Sequence, residues 1–194
     1  VLFLDTDLYR SGAVGLALHG DIAIDPIVAQ GCRPIGRPMR ITKSNQNLLL
    51  ALNGHPPLEL LQELYITLDE RDQNLIRNSL FLGLVMDEFK EDPQLGDFLI
   101  RNIVGMDQRL GALAVGEMLR EGQIVQFHLR DALTSSEDLS GLLASYRQEK
   151  NGPEAAGALI FSCLGRGIHL YGRPNHDTDL FREALGDIPL GGFF

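Results

Sequence analysis

Met39-Arg40-Ile41-Thr42-Lys43-Ser44-Asn45-Gln46-Asn47-Leu48-Leu49-Leu50-Ala51-Leu52-Asn53-Gly54 is the stretch whose reading decides the fold class. A short strand at 39–42 meets a polar turn at 43–47, and an apolar run returns over 48–52 before the Asn53-Gly54 breaker. That order of apolar, polar and apolar segments predicts a hairpin. Upstream, Val14, Leu16 and Leu18 alternate up to His19-Gly20-Asp21, and residues 22–29 read as the returning strand of an earlier hairpin. Downstream, strands are expected at 81–86 and 98–104, and residues 113–119 are expected to pair with 124–129 across Glu121-Gly122.

Helices fall between these strands. After Pro56-Pro57, Leu58, Leu61, Leu64, Tyr65 and Leu68 recur at helical spacing. Ser135, with Asp138 three residues on, is a weak capping signal ahead of the stripe Leu139, Leu142, Leu143 and Tyr146, which is expected to end near Asn151-Gly152-Pro153. A strand at 158–163, a short helix at 177–185 stopped by Gly186, and the start of a strand at 190–194 complete the chain. Regular strand–helix–strand alternation is missing, so the expected class is α+β. Mainly antiparallel sheets built from hairpins, with about three flanking helices, make a layered αβ sandwich the candidate packing.

Composition narrows the function. The 194 residues are 44% hydrophobic and 22% charged, which is ordinary for a globular chain, and the net charge is −9. Without a Lys/Arg run, that charge argues against nucleic acid, which is bound by neutralising phosphates. No apolar stretch approaches the roughly 20 residues that span a bilayer, so membrane insertion is not expected. Cys32 and Cys163 form neither a disulfide framework nor a metal knuckle, and a reducing cytoplasm is the simplest setting. The chain opens on Val1-Leu2-Phe3-Leu4 and stops on Gly191-Gly192-Phe193-Phe194, and reads as a piece of a larger protein.

Short segments hold the residues able to do chemistry. Gly31-Cys32-Arg33-Pro34-Ile35-Gly36 sets a thiol and a guanidinium between glycines. Either Arg33 takes a carboxylate bidentately, or it makes a structural ion pair in a tight turn. Arg101 and Asn102 close a strand on opposite faces ahead of Gly105 and Asp107, where Asn102 and Asp107 also suit plain turn chemistry. Along 123–131, Val125, Phe127 and Leu129 face the core, while Gln126, His128 and Arg130 share the other face. That face is either solvated or a site in which the neighbouring charge keeps His128 neutral. Phe161-Ser162-Cys163-Leu164-Gly165-Arg166-Gly167 runs from a buried strand into a turn aiming Arg166 outward, with Cys163 reading as a core thiol. Neither a nucleophile elbow, a phosphate-binding glycine loop nor a zinc-protease helix is present, so the chain is not expected to be a self-contained enzyme or to hold a metal.

Taken in order, these segments resemble the FIST family, a sensory domain found with bacterial signalling modules and in some eukaryotic F-box proteins. The resemblance rests on Ser11-Gly12-Ala13-Val14-Gly15, Gln30 through Gly36, Asn53-Gly54, Arg101-Asn102 with Gly105 and Asp107, Glu121-Gly122 before Phe127-His128-Leu129-Arg130-Asp131, and Phe161 through Gly167. It implies that residues 1–30 end the family's N-terminal half and that 31–194 form its C-terminal domain, truncated at the last strand. It further implies cytoplasmic sensing of a small ligand, an amino acid or other carboxylate metabolite, with signalling to a partner protein. Two alternatives accompany it: a haem-based nitric-oxide sensor with His128 or a cysteine as axial ligand, and a protein-recruiting module as in the F-box relatives. Apart from that haem, no cofactor is expected. The motif residues and their local chemistry give the candidate ligand-binding set Cys32, Arg33, Gly36, Arg101, Asn102, His128, Arg130, Cys163, Arg166 and Gly167, with Arg33, Arg130 and Arg166 as a cationic pocket.

Overall fold

The hairpin at 39–54 is present in the computed structural model, which describes residues 1–15, 17–87, 90, 92–149 and 155–193. It joins β3 (Arg33–Asn45) to β4 (Leu48–Leu52) through Gln46, which adopts a left-handed φ of 54°. Ahead of it lie the short strands β1 (Leu2–Leu4) and β2 (Asp7–Tyr9). After it come α1 (Pro57–Thr67), α2 (Glu70–Ser79), β5 (Leu80–Val85), β6 (Phe98–Asp107), β7 (Ala112–Val115) and β8 (Ile124–Leu129). The chain continues through α3 (Ala132–Glu149), β9 (Ala158–Phe161), α4 (Ile168–Tyr171), α5 (His176–Leu185) and β10 (Leu190–Phe193).

Six strands close into an antiparallel barrel in the order β3-β4-β7-β6-β5-β8, and β8 pairs back onto β3. The expected α+β class holds. One long strand makes closure possible. The first part of β3 pairs with β8 and the second with β4, with a register shift between Ile35 and Met39. Gly36 sits at that shift with φ +64°, and a Cβ there would come 3.2 Å from Leu64 of α1. A bulge carrying a left-handed glycine bends a strand from one partner to the next. The interior is filled by Ile41, Leu49, Leu52, Leu82, Leu113 and Phe127, each at most 1% exposed. Burying side chains of this size contributes roughly 1.5–3 kcal/mol apiece. Leu61 of α1 joins this cluster.

Several expectations are corrected. Among the described residues of 14–29 there is no strand, and Leu16 lies outside them. Val14, Leu18, Ile22, Ile24 and Val28 are exposed, because alternation makes a strand only where a neighbouring strand accepts the backbone. The hairpin of this region is β1 with β2, turning through Asp5 at φ 53°. Strands β7 and β8 do not pair with each other: β7 lies between β4 and β6, and β8 between β3 and β5. Strand β8 also lacks a solvated face, since Gln126 is 6% and His128 1% exposed. Helix α2 was not anticipated, because none of its residues is buried and no apolar stripe marks it.

At the far end of the chain, β9 and β10 make a two-stranded parallel pair. Leu159 and Phe161 on β9 are 60% and 65% exposed, so Cys163 beyond them is an exposed thiol and not a core one. Helix α3 starts earlier than Ser135: Asp131 is its cap, accepting from the Thr134 N–H at 2.9 Å and the Thr134 hydroxyl at 3.1 Å. Ser135 is instead a buried residue of the first turns. The expected stop at Asn151-Gly152-Pro153, and Phe194 of the last strand, lie outside the described residues.

Candidate functional site

Where β3 begins and β8 ends, the barrel brings together Cys32, Arg33 and Arg130, and the loop after β9 adds Cys163 and Arg166. Each arginine meets a different environment. Arg33 donates to Asp72 of α2 and to Asp131 at 3.4 Å. Arg71 also pairs with Asp131 at 3.2 Å. Burial pushes the Asp131 carboxyl up, but the Thr134 donors and the two guanidinium groups win and hold it below the usual range. Arg33 is therefore a clasp between α2 and the start of α3.

Arg166 does not point outward. It is 8% exposed and grips Asp177 of α5 with two hydrogen bonds, 2.6 and 2.9 Å, while its Nη1 donates to Ser135 Oγ at 2.8 Å. Ser135 shares a 2.8 Å hydrogen bond with the Tyr171 hydroxyl, and His176 stacks on Tyr171 with ring centroids 3.5 Å apart. Burial opposes the charge on Asp177, but the Arg166 hydrogen bonds and His176 outweigh it and hold the carboxyl at about 2. Gly31 permits this approach: a Cβ there would fall 2.3 Å from Ser135 Oγ and 3.0 Å from Arg166 Nη1. The Gly31 N–H itself donates to Asp138 at 2.8 Å.

Arg130, half-buried like Arg33, differs from both other arginines in that among the described residues no carboxylate pairs with it. Its guanidinium lies 4.6 Å above the Phe81 ring, a cation–π contact. Nε approaches Cys32 Sγ at 3.4 Å and Nη1 approaches Cys163 Sγ at 3.9 Å. Gly165 keeps this corner open, since a Cβ there would stand 3.1 Å from Arg130 Nη1. The two thiols are opposites. Burial pushes the Cys32 thiol up despite Arg130. The Gly165 N–H, donating to Cys163 Sγ at 3.4 Å, and the Arg130 charge hold the Cys163 thiol below its ordinary value.

The other candidates stand apart from this cluster. Gly36 forms the β3 bulge. Arg101 on β6 pairs with Glu117 at 2.9 Å, and Asn102 contributes its carbonyl to the Gly116 N–H at 2.8 Å. Gly167, at φ 90°, is the N-cap of α4. His128 is enclosed: its Nδ1 lies 3.1 Å from the Gln126 carbonyl, and its ring centroid is 4.7 Å from that of Phe98. A Cβ on Gly83 would fall 2.4 Å from His128 Cε1. Burial, and not the Arg130 charge, lowers its pKa, against the opposing pull of the Gln126 carbonyl.

Haem needs an axial ligand with an open approach. His128 and Cys32 do not fit, being clamped and buried respectively, which leaves the exposed Cys163 as the one of the three with an open approach. Among the described residues no group of three or more His, Cys, Asp or Glu side chains is placed to hold a metal ion, and no helix is long and apolar enough to cross a membrane.

The sequence reading missed Asp131, Ser135, Tyr171, Asp138 and Asp177 as members of the cluster. Asp131 carried a usable signal, an acid three residues before Thr134 at a helix start. Asp177 carried none, because its partner is fixed only by the fold.

An antiparallel barrel flanked by helices makes this an α+β domain, with Cys32, Cys163 and three arginines gathered near the end where β3 begins and β8 ends. Matches to the FIST N domain over residues 1–55 and the FIST C domain over 57–194 place the chain in the FIST family. FIST domains are sensory domains of signal transduction proteins. Uncharacterized proteins of Mycobacterium tuberculosis strain H37Rv and of Mycobacterium bovis are each 40% identical over 193 residues, 100% of this chain and 50% of theirs. The chain thus spans about half the length of these curated relatives. An F-box/LRR-repeat protein of Arabidopsis thaliana is 27% identical over 125 residues, 60% of this chain and 24% of that protein. No solved structure matches.

Proposed function

We propose that this chain is the ligand-receiving part of a cytoplasmic sensory protein and that it takes a small carboxylate, an amino acid or related metabolite, on Arg130. The observation that carries this reading is the contrast among the three arginines. Arg33 and Arg166 already hold carboxylates of the protein, whereas Arg130 offers its guanidinium to two sulfurs and an aromatic face. A carboxylate is a far better acceptor for a guanidinium than a neutral thiol. In this reading Arg33 and Arg166 fix the walls, and only Arg130 meets the ligand. Occupancy is then passed to a signalling partner through the loop that carries Cys163 and Arg166.

A second reading, recruitment of a protein, is favoured by the exposed Leu159, Phe161 and Phe193 on β9 and β10 and by the F-box relative. Calorimetric titration of the intact protein with a panel of amino acids and small carboxylates separates the two. The carboxylate reading expects a binder whose affinity falls about tenfold to a hundredfold in Arg130→Met, the loss of a charge-assisted hydrogen bond, and is unchanged in Arg173→Ala. A panel without a binder, alongside capture of a stable protein partner in the absence of metabolite, would favour recruitment instead.

A further inference from the structure

Two free cysteines far apart in sequence converge on one guanidinium. Arg130 Nε is 3.4 Å from Cys32 Sγ, and its Nη1 is 3.9 Å from Cys163 Sγ. The pair is unequal in every property that governs thiol chemistry. Cys163 is exposed, lies in the loop between β9 and α4, and receives the Gly165 N–H at 3.4 Å. Cys32 is 2% exposed, and its Sγ donates to the Gln30 carbonyl at 3.5 Å. An accessible thiolate next to positive charge attacks oxidants, and a second cysteine within reach of the same group resolves the product as it gives up its own proton.

We propose that Cys163 and Cys32 form a redox-active thiol pair served by Arg130, with a hydroperoxide as the oxidant. The Cys163 thiolate attacks the terminal peroxide oxygen and a sulfur–oxygen bond forms. The oxygen–oxygen bond breaks, and the departing alkoxide takes a proton from water to leave as the alcohol. Cys163 is then a sulfenic acid. The Cys32 sulfur attacks the Cys163 sulfur, the sulfur–oxygen bond breaks, and the hydroxyl departs with the Cys32 proton as water. In sum, two thiols lose two electrons to become one disulfide, and the hydroperoxide is reduced to alcohol and water. Arg130 steadies the attacking thiolate and the leaving oxygen, and then withdraws from between the sulfurs as they join. The new bond ties the loop holding Arg166 to the entry of β3. This inference requires no carboxylate ligand and stands apart from the preceding reading.

The test uses the intact reduced protein, treated with tert-butyl hydroperoxide without added carboxylate, quenched with iodoacetamide, digested and read by mass spectrometry. The expected product is a peptide linked through Cys32 and Cys163. Cys32→Ser is expected to leave Cys163 as a sulfenic acid that dimedone captures, and Cys163→Ser to leave Cys32 reduced. Arg130→Met is expected to slow the oxidation of Cys163 several-fold. Thermal melts establish that each variant is folded, and the linkage in the unaltered protein decides the matter should one fail to fold. Accumulation of over-oxidised Cys163 without the linked peptide would overturn the proposal, as would oxidation of Cys32 at an undiminished rate in Cys163→Ser.

Discussion

His128 shows how a single residue changes meaning once its surroundings are known. Its alternation with Val125, Phe127 and Leu129 pointed to an accessible imidazole, yet it is 1% exposed and held below its ordinary pKa by burial. A neutral buried histidine binds fewer protons folded than unfolded, so stability rises with pH below the unfolded value of about 6.5 and levels off above it. Chemical denaturation between pH 5 and pH 7.5 is expected to show this slope, and His128→Phe to flatten it. Gly83→Ala would place a methyl group 2.4 Å from His128 Cε1 and 3.1 Å from Phe98 Cβ, and is expected to cost about 1–3 kcal/mol by overpacking in the same assay. Asp177 titrates in the opposite corner of the pH scale. Its carboxyl sits at about 2, so the stability it contributes, about 2 kcal/mol, is fully present above about pH 4 and is lost as the pH falls through 2. Arg166→Met strands that buried carboxylate and is expected to cost about 3–5 kcal/mol in thermal or urea unfolding. The arginines were legible in the sequence as residues able to hold anions. Their partners were not, because Asp72, Asp131 and Asp177 become neighbours only through the closing of the barrel and the docking of α5.

Elements were legible where local rules and tertiary contacts agree. The β3–β4 hairpin, α1 behind Pro56-Pro57, and α5 ending at Gly186 all carry both a periodic apolar pattern and a chemical stop. Residues 14–29 carry the pattern without a partner strand among the described residues, and the expected strands are missing there. Helix α2 has the converse history: a capped start at Asp69 and no buried residue, so periodicity could not reveal it. Strand β8 lies where it was expected, whereas β7 stops at Val115 short of the expected 119, and the two were paired incorrectly, since adjacency in sequence says nothing about which of two neighbours a barrel offers. The cap of α3 provides the test at this scale. Asp131 both accepts from Thr134 and neutralises Arg33 and Arg71. Asp131→Ala is expected to lose about 1–2 kcal/mol from the cap, with a further loss as Arg71 gives up its Asp131 contact and Arg33 keeps only Asp72, whereas Asp131→Ser keeps the cap and loses only the latter. Urea denaturation of the two variants side by side measures the difference.

At the scale of the whole molecule, the barrel is a frame that carries side chains of β3 and β8 to one end, where the loops around α3, α4 and α5 close over them. Arg33 and Arg166 hold carboxylates of the protein there, and in the proposed reading Arg130 is the group an incoming anion meets. The FIST motifs, read in order, identified the family, while the partners of their arginines came only from the fold. On the proposed assignment, ligand and thiol share one guanidinium, which makes Cys163 a reporter for Arg130. A carboxylate seated on Arg130 withdraws positive charge from the sulfur and lowers its thiolate fraction. The decisive measurement is the rate of Cys163 alkylation at neutral pH in the intact protein, followed as a calorimetrically identified carboxylate is titrated in. The rate is predicted to fall to a plateau with the same midpoint as binding. A rate that stays constant while the carboxylate saturates the protein would contradict the assignment of Arg130 as its receptor.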